Sequence, residues 1–148
     1  MLRILLDSDV IIEWLRGHHP FTQQMVELIE AHADVCWTPV SIAEILAGSR
    51  KGEDEAIADL FLVLEALPIT SDVGRKAGEY LKSYAKSHGV ELGDALIAAS
   101  ASASERQLWT LNKKHYPMKE ISFFSYSPQD PRVPRARHDA RARCGESR

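Results

Sequence analysis

Three acidic residues from distant parts of the chain lack the basic neighbours that a solvated carboxylate on a helix usually has. Glu44 is followed three and four positions later by an alanine and a glycine, and Asp94 by an isoleucine and an alanine. Asp7 comes directly after the apolar run Leu2–Leu6, which is typical of a buried strand. If the three converge, each pair about 4 Å apart repels by about 4 kcal/mol at an effective dielectric of 20. Mg²⁺ or Mn²⁺ would remove that repulsion, because hard cations prefer oxygen ligands, and such ions activate water at a phosphodiester.

Each acid also has a structural explanation. Asp94 falls in the first turn of a predicted helix, where the positive end of the helix dipole favours an anion. Glu44 can be an ordinary acid at the edge of a helix. One of Asp7 and Asp9 is expected to cap the helix after the first strand, and Asp9 is the better candidate because it directly precedes Val10. We therefore predict Asp7 as the site residue and Asp9 as a cap or a residue behind the site.

An α/β fold must position these acids, because short apolar segments alternate with amphipathic ones along the chain. The predicted strands are Leu2–Leu6, Asp34–Trp37, Leu67–Ile69, Gln107–Leu111 and an edge strand at Ile121–Phe124. The predicted helices are Val10–Gly17, Phe21–His32, Val40–Ala47, Glu53–Ala66, one from Ser71 or Asp72 to Gly89, and Leu92–Ser104. The pattern predicts a three-layer α/β/α sandwich with a short, mostly parallel sheet of about four to five strands. The carboxyl ends of parallel strands are where such folds carry their chemistry.

Length and composition fit one soluble domain. The chain has 148 residues and a formal net charge of -3, which leaves no strong electrostatic footprint. Cys36 and Cys144 are too few for a disulfide framework or a cysteine metal cluster. No stretch approaches the ~20 apolar residues of a membrane span, and the start lacks the pattern of a signal peptide. We expect a cytoplasmic protein with no membrane partner.

The end of the chain differs from the rest in composition. After Ser127 the apolar periodicity stops, and six arginines follow Pro131 against two acids. We predict a folded domain at 1–126 and a basic, disordered tail at 127–148. Phosphate contacts to a nucleic acid are the alternative, which is less favoured because no aromatic residue accompanies the arginines to stack on bases.

Four segments carry a family resemblance, namely Leu5–Val10, Ile42–Ile45, Gly89–Ala99 and Thr110–Tyr116, in this order. Together they resemble the PIN-domain ribonucleases, most nearly the VapC-type toxins of bacterial toxin–antitoxin pairs. The segment around Asp94 is the most specific, and four segments in order at compatible spacing form a strong signal. The resemblance covers roughly residues 1–126.

The resemblance implies an endoribonuclease that depends on Mg²⁺ or Mn²⁺ and cleaves single-stranded RNA or RNA loops. It also implies a PIN-like sheet sandwiched by helices, a homodimer, and a cognate antitoxin as partner. By position, it assigns Asp7, Glu44 and Asp94 as the catalytic and metal-binding acids, with Asn112 beside them as a further catalytic residue.

Further positions near these acids complete the predicted site. The resemblance gives Ser8 and Thr110 a supporting role through hydrogen bonds. His115 stands where the family often has a fourth acid, and an imidazole suits softer metals than Mg²⁺. Whether the site binds one metal ion or two therefore stays open. Glu91 could stand in for that acid, although an exposed residue before the helix is the favoured interpretation. For His115 we favour a loop histidine without a role over a phosphate contact or a proton donor.

Two other functions remain open. A catalytically weak PIN-like module would bind an antitoxin and regulate transcription, and His115 gives this alternative weight. A strand followed by Asp7 and Asp9 also resembles the start of haloacid-dehalogenase-type phosphatases, with the first acid as nucleophile and the second as acid–base. That class needs a later Asp pair and a Lys in the site, and no Asp pair follows the strand at Gln107–Leu111.

Overall fold

The computed structural model describes residues 1–133 of the chain. Within them the strands are β1 (Arg3–Leu6), β2 (Asp34–Trp37), β3 (Glu65–Ala66) and β4 (Gln107–Trp109). The helices are α1 (Ser8–Leu15), α2 (Phe21–Glu30), α3 (Pro39–Ala47), α4 (Asp54–Val63), α5 (Ser71–His88) and α6 (Leu92–Ala103), followed by a 3₁₀ turn at Lys113–His115.

The four strands form one parallel sheet in the order β3-β2-β1-β4. Leu5 of β1 pairs with Cys36 on one side and with Leu108 on the other, which makes β1 a central strand. The predicted α/β sandwich with a short parallel sheet is confirmed. The predicted edge strand at Ile121–Phe124 is reduced to a single bridge between Leu108 and Phe123.

Side chains that alternate along β1 build a separate core on each face of the sheet. Ile4 and Leu6 belong to one cluster, which the helices α1 to α4 cover. Leu5 points to the opposite face and joins a second cluster under α5 and α6. Both faces of β1 are therefore apolar, and its residues Ile4, Leu5 and Leu6 are fully buried. This double burial explains why the strand reads as a continuous apolar run.

Local end signals place the helices that flank the site. The side chain of Thr38 accepts a hydrogen bond from Ser41 N, and Pro39 occupies the first turn of α3, as predicted. Gly89 ends α5 with φ +64°, also as predicted. The predicted cap of α5 at Ser71 or Asp72 is wrong by one residue. Thr70 caps this helix instead, by accepting from Val73 N.

The predicted boundary between α4 and the third strand is wrong. The helix ends at Val63, and Glu65–Ala66 pair with β2, where Glu53–Ala66 was expected to be all helix. Leu64 has ψ 131°, so the chain is already extended there. Leu67 N donates to Trp37 O beyond the strand, and no further pairing follows because Pro68 has no N–H to offer.

The structure describes only the first residues of the predicted tail. Val133 is buried there and belongs to the cluster on the α1 side of the sheet. The remaining tail arginines, Asp139 and Cys144 lie outside the described residues. Cys36 is fully buried, as its apolar surroundings predicted. Among residues 1–133, none of the helices combines the length and the apolar character needed to cross a membrane.

Candidate active site

A cleft of about 600 Å³ opens at the carboxyl ends of β1 and β4. It is lined by Asp7, Ser8, Asp9, Ile12, Glu44, Gly89, Glu91, Gly93, Asp94, Asn112 and His115. The structure thus brings the three predicted acids into one cleft, together with two further carboxylates. Among the described residues that line it, no lysine or arginine balances these acids.

Asp7 lies at the centre of the hydrogen bonds in this cleft. Its Oδ1 accepts from the main-chain N–H of Ser8 at 2.7 Å. Its Oδ2 accepts from two hydroxyls, Thr110 Oγ1 at 2.8 Å and Tyr116 Oη at 2.7 Å. Asp7 is also the N-cap of α1, so the prediction of Asp9 as the cap is wrong. Helix α1 begins at Ser8, two residues earlier than a cap at position 9 requires, because Asp7 itself takes the extended N-cap conformation.

Asp9 sits in the first turn of α1 and ties that helix to the end of β4. Its Oδ2 accepts from Leu111 N at 3.1 Å and lies 3.3 Å from the Thr110 hydroxyl. Its Oδ1 accepts from Val10 N. Burial, together with the charge of Asp7, raises the pKa of Asp9 to about 6. Asp9 therefore faces the cleft as a carboxylate that is costly to ionise without a cation.

The two predicted supporting residues act in different ways. Thr110 donates its hydroxyl proton to Asp7, the nearer acceptor, and its oxygen accepts from Asn112 N at 3.1 Å. Ser8 contributes its main-chain N–H to Asp7, while its hydroxyl donates to Ser41 Oγ on α3 at 3.2 Å. Ser8 therefore connects Asp7 to the helix that carries Glu44.

Asp94 and Glu91 meet at the start of α6. Glu91 is the exposed N-cap of this helix, and its main-chain N–H donates to Asp94 Oδ2 at 3.4 Å. Burial raises the pKa of Asp94, against the opposing effects of that N–H and of His115. Asp94 thus combines a capping role with a place in the cleft, so the two interpretations of this residue are compatible. Glu91 matches the favoured interpretation and also lines the cleft.

His115 lies in the cleft, where the sequence favoured a loop histidine without a role. Its Nδ1 is 3.9 Å from Asp94 Oδ1, and its Nε2 is 3.0 Å from Asn112 Nδ2. Asn112 and His115 are the two residues with side-chain N–H groups among the described lining residues. They form the rim of the cleft that can donate hydrogen bonds to an anionic ligand.

Glu44 approaches the start of α6 from the exposed side of α3. A Cβ at Gly93 would lie 3.2 Å from Glu44 Oε1 and 3.4 Å from Val40 Cγ1. The absence of a side chain at Gly93 therefore lets the Glu44 carboxylate reach the neighbourhood of Asp94. Gly93 was not among the predicted site residues, although a glycine next to an acid in the first turn of a predicted helix was a visible signal.

Tyr116 is a second residue that contacts this group of acids and was not among the predicted site residues. It is 2% exposed, and its hydroxyl reaches Asp7 across the sheet edge from the loop after β4. Burial, followed by the charge of Asp7, raises the pKa of this phenol above its usual range. An aromatic residue in an otherwise polar loop was the available signal, but its partner 109 residues away was not.

The donor set suits a hard divalent cation. Carboxylate oxygens from three separate segments face one cleft, and oxygen ligands are those that Mg²⁺ and Mn²⁺ prefer. Burial, and to a smaller extent the charge of Asp7, raises the pKa of Asp9 and of Asp94, and a nearby cation would favour their ionised forms. The residues present therefore fit a bound divalent cation.

A second group of potential ligands lies on β2 and β3, away from the cleft. Asp34, Cys36 and Glu65 place ligand atoms within 4.8 Å of one another. The buried guanidinium of Arg106 already donates to Asp34, through Nη2 to Oδ2 at 2.8 Å and through Nη1 to the main-chain oxygen at 3.0 Å. This bond lowers the pKa of Asp34. We interpret Asp34 and Arg106 as a structural ion pair, because the guanidinium already binds the carboxylate that a cation would need.

Comparison with known proteins gives matches over most of the chain. A family profile described as PIN domain matches residues 4–121. The ribonuclease VapC10 of Mycobacterium tuberculosis is 38% identical over 120 residues, which cover 79% of this chain and 88% of the relative. The structure of VapBC2 from Rickettsia felis, bound to a DNA fragment from the promoter, matches with a TM-score of 0.69 at 20% identity. The match covers 86% of this chain and 100% of the matched chain. A toxin–antitoxin complex from Klebsiella pneumoniae has a TM-score of 0.64 at 17% identity, with coverages of 80% and 94%.

Proposed function

Because the chain belongs to the PIN-domain family, we propose that it is an endoribonuclease whose acidic cleft holds Mg²⁺ or Mn²⁺. The observation that carries the proposal is the cleft itself. Five carboxylates from three segments line it, and its described lining residues include no lysine or arginine. The similarity to the ribonuclease VapC10 supports RNA as the substrate class.

Asp7, Glu44 and Asp94 are the residues that would hold the cation. A hard divalent ion supplies charge neutralisation at a phosphodiester and makes a nearby water molecule more acidic. The chain supplies the orientation of the acids. Asp7 is held by three hydrogen bonds, and Asp94 sits in the first turn of α6, where the helix dipole favours its charge.

The rim formed by Asn112 and His115 would bind the phosphate of the RNA. Both side chains can donate to anionic oxygens, while the remaining lining side chains with charge are acids. The 3.0 Å contact between them fixes their relative positions. RNA would thus meet both hydrogen-bond donors and the cation in one cleft, with His115 Nδ1 3.9 Å from Asp94 Oδ1.

Substitution of the acids tests the cation-dependent nuclease. Asp7→Asn and Asp94→Asn keep side-chain size and remove charge, so we expect a loss of at least about 100-fold in RNA cleavage with Mg²⁺ or Mn²⁺. Asp72→Asn is the matched control, since Asp72 also occupies the first turn of a helix but is exposed and does not line the cleft. Cleavage at the wild-type rate in both site variants would contradict the proposal.

We further propose that the chain is the toxin of a toxin–antitoxin pair and forms a homodimer. The likeness to the Klebsiella pneumoniae toxin–antitoxin complex supports an antitoxin partner. The end of α4 exposes Phe61, Leu62 and Val63, with Leu62 85% exposed, and such a patch supports a protein contact there. Induced expression should arrest growth, Asp7→Ala should abolish the arrest, and co-expression of the neighbouring open reading frame should relieve it. Light scattering of the purified chain tests the dimer.

The competing functions give different results in these assays. A binding module without catalysis would associate with the antitoxin but leave RNA intact in every variant. A phosphatase of the two-acid type needs a Lys in its site, and the described lining residues of this cleft include none. That activity would appear as hydrolysis of p-nitrophenyl phosphate with Asp7 as the nucleophile. Mapping the RNAs that are cut after induced expression would identify the target.

A further inference from the structure

Tyr116 is almost completely buried, yet its hydroxyl is directed at the cleft. The residue is 2% exposed, and Oη donates to Asp7 Oδ2 at 2.7 Å. Its ring belongs to the core cluster under α5 and α6, which fixes the position of the hydroxyl. A phenol hydroxyl has one proton to donate, and the contact places it on Asp7 Oδ2, so Tyr116 is a hydrogen-bond donor to Asp7.

The hydrogen bonds of Asp7 leave little of its carboxylate free. An ionised carboxylate offers about four acceptor directions, two on each oxygen. Oδ2 uses both, for the hydroxyls of Thr110 and Tyr116. Oδ1 uses one, for the N–H of Ser8. A single direction remains, and it lies on Oδ1.

We propose that Tyr116 is a positioning residue, which saturates Oδ2 of Asp7 so that this carboxylate meets a divalent cation through Oδ1 alone. The inference rests on the proposed function, because it takes the cleft to be the cation site. It adds a residue to that site and fixes how Asp7 takes part. A carboxylate that cannot rotate and cannot bind through both oxygens suits the strict octahedral geometry of Mg²⁺ better than the flexible, often two-oxygen binding of Ca²⁺.

The chain contains a second buried tyrosine with the same chemistry away from the cleft. Tyr80 donates its hydroxyl to Glu120, and Tyr80 is 7% exposed. Neither residue lines the cleft. Removing the hydroxyl from Tyr80 therefore reproduces the chemical change at Tyr116 and leaves the cation site untouched. Phenylalanine at either position keeps the ring and its packing.

The experiment measures Mn²⁺ and Ca²⁺ binding to the full chain by calorimetry, for the wild type, Tyr116→Phe and Tyr80→Phe. We expect Tyr116→Phe to weaken Mn²⁺ binding by about 10- to 100-fold, as loss of a residue that orients a metal ligand generally does. Ca²⁺ affinity should fall severalfold less than Mn²⁺ affinity, because a released Asp7 can offer both oxygens to the larger ion. Tyr80→Phe should leave both affinities within about twofold of wild type, since its hydroxyl orients no ligand. A merely structural role of Tyr116 would lower both affinities by the same factor, and that result, or no change, would overturn the inference.

Two further variants keep the outcomes separate. Thr110→Val removes the other donor to Oδ2 at nearly constant shape, so the same change in ion preference is expected even if Tyr116→Phe fails to fold. Asp7→Asn should abolish tight Mn²⁺ binding. If it does not, the proposed cation site fails together with this inference. If it does, and Tyr116→Phe and Thr110→Val both bind Mn²⁺ and Ca²⁺ like the wild type, only the inference fails.

Discussion

Gly93→Ala should change the stability of the chain and the affinity of the proposed cation site in opposite directions. The new Cβ would lie 3.2 Å from Glu44 Oε1 and 3.4 Å from Val40 Cγ1. The first contact is closer than a methyl group and a carboxylate oxygen tolerate, so the Glu44 carboxylate must move away by a few tenths of an ångström. Glu44 is exposed and flexible, so this displacement costs the fold little.

The two expected effects have opposite signs. Alanine is a better helix former than glycine by up to about 1 kcal/mol, and Gly93 lies in the first turn of α6 without a positive φ, so the free energy of unfolding should rise by about 0.5 kcal/mol. A carboxylate displaced from Asp94 by a few tenths of an ångström should weaken Mn²⁺ binding by about three- to tenfold, since such sites need their groups held within about 0.5 Å.

Gly78→Ala provides the matched control. Gly78 lies within α5, and a Cβ there would meet nothing within 4 Å. Because Gly78 lies in the helix interior, this change should raise stability by about 1 kcal/mol, without any change in Mn²⁺ affinity. Urea unfolding and calorimetry on the three proteins measure both quantities. Wild-type Mn²⁺ affinity in Gly93→Ala, or an equal loss in Gly78→Ala, would refute the role assigned to this glycine.

Three other predictions concern stability. In EDTA, the raised pKa of Asp9 adds stability that is present below pH 4 and lost as pH rises through about 6. The free energy of unfolding measured with urea should therefore fall by about 1 kcal/mol between these pH values, after allowance for solvent screening. Asp9→Asn should remove this fall. Asp34→Ala should cost about 3–5 kcal/mol because it leaves the buried guanidinium of Arg106 unpaired, whereas Arg106→Met leaves a part-exposed acid and should cost about 1–3 kcal/mol in the same assay. Gly89→Ala should cost about 1 kcal/mol in thermal unfolding, since its φ of +64° strains a residue with a Cβ while nothing else lies within 4 Å.

The parts of the fold with local signals were predictable. The apolar run ending at Leu6 gave β1, and a threonine before Pro39 gave the start of α3, because capping and burial are decided within a few residues. The start of β3 was not predictable in the same way. Leu64 continues the apolar period of α4, and only the pairing of Glu65–Ala66 with β2, a tertiary contact, makes the helix stop.

That Asp7, Glu44 and Asp94 lie in one cleft could be expected from the sequence, whereas the roles assigned to them stay predictions. Glu44 and Asp94 stand out because each lacks a local partner, and that absence is a property of the sequence. The choice of Asp7 over Asp9 as the cap of α1 depends on where this helix begins, and the two alternatives differ by two residues. The donors Thr110 and Tyr116 come from a loop more than 100 positions away, and the register between β1 and β4 brings them to Asp7.

The chain can fold with several acids in one cleft because Asp7, Asp9 and Asp94 each accept hydrogen bonds from main-chain or side-chain donors. The N-terminal turns of α1 and α6 carry Asp9 and Asp94, where each helix dipole favours an anion by about 0.3–1 kcal/mol. Asp7 adds three hydrogen bonds, two of them from buried hydroxyls. These donors do not neutralise the acids, as the pKa of Asp9 near 6 shows. They hold the carboxylates in fixed directions, so that the proposed cation would remove the repulsion between them without having to order its ligands.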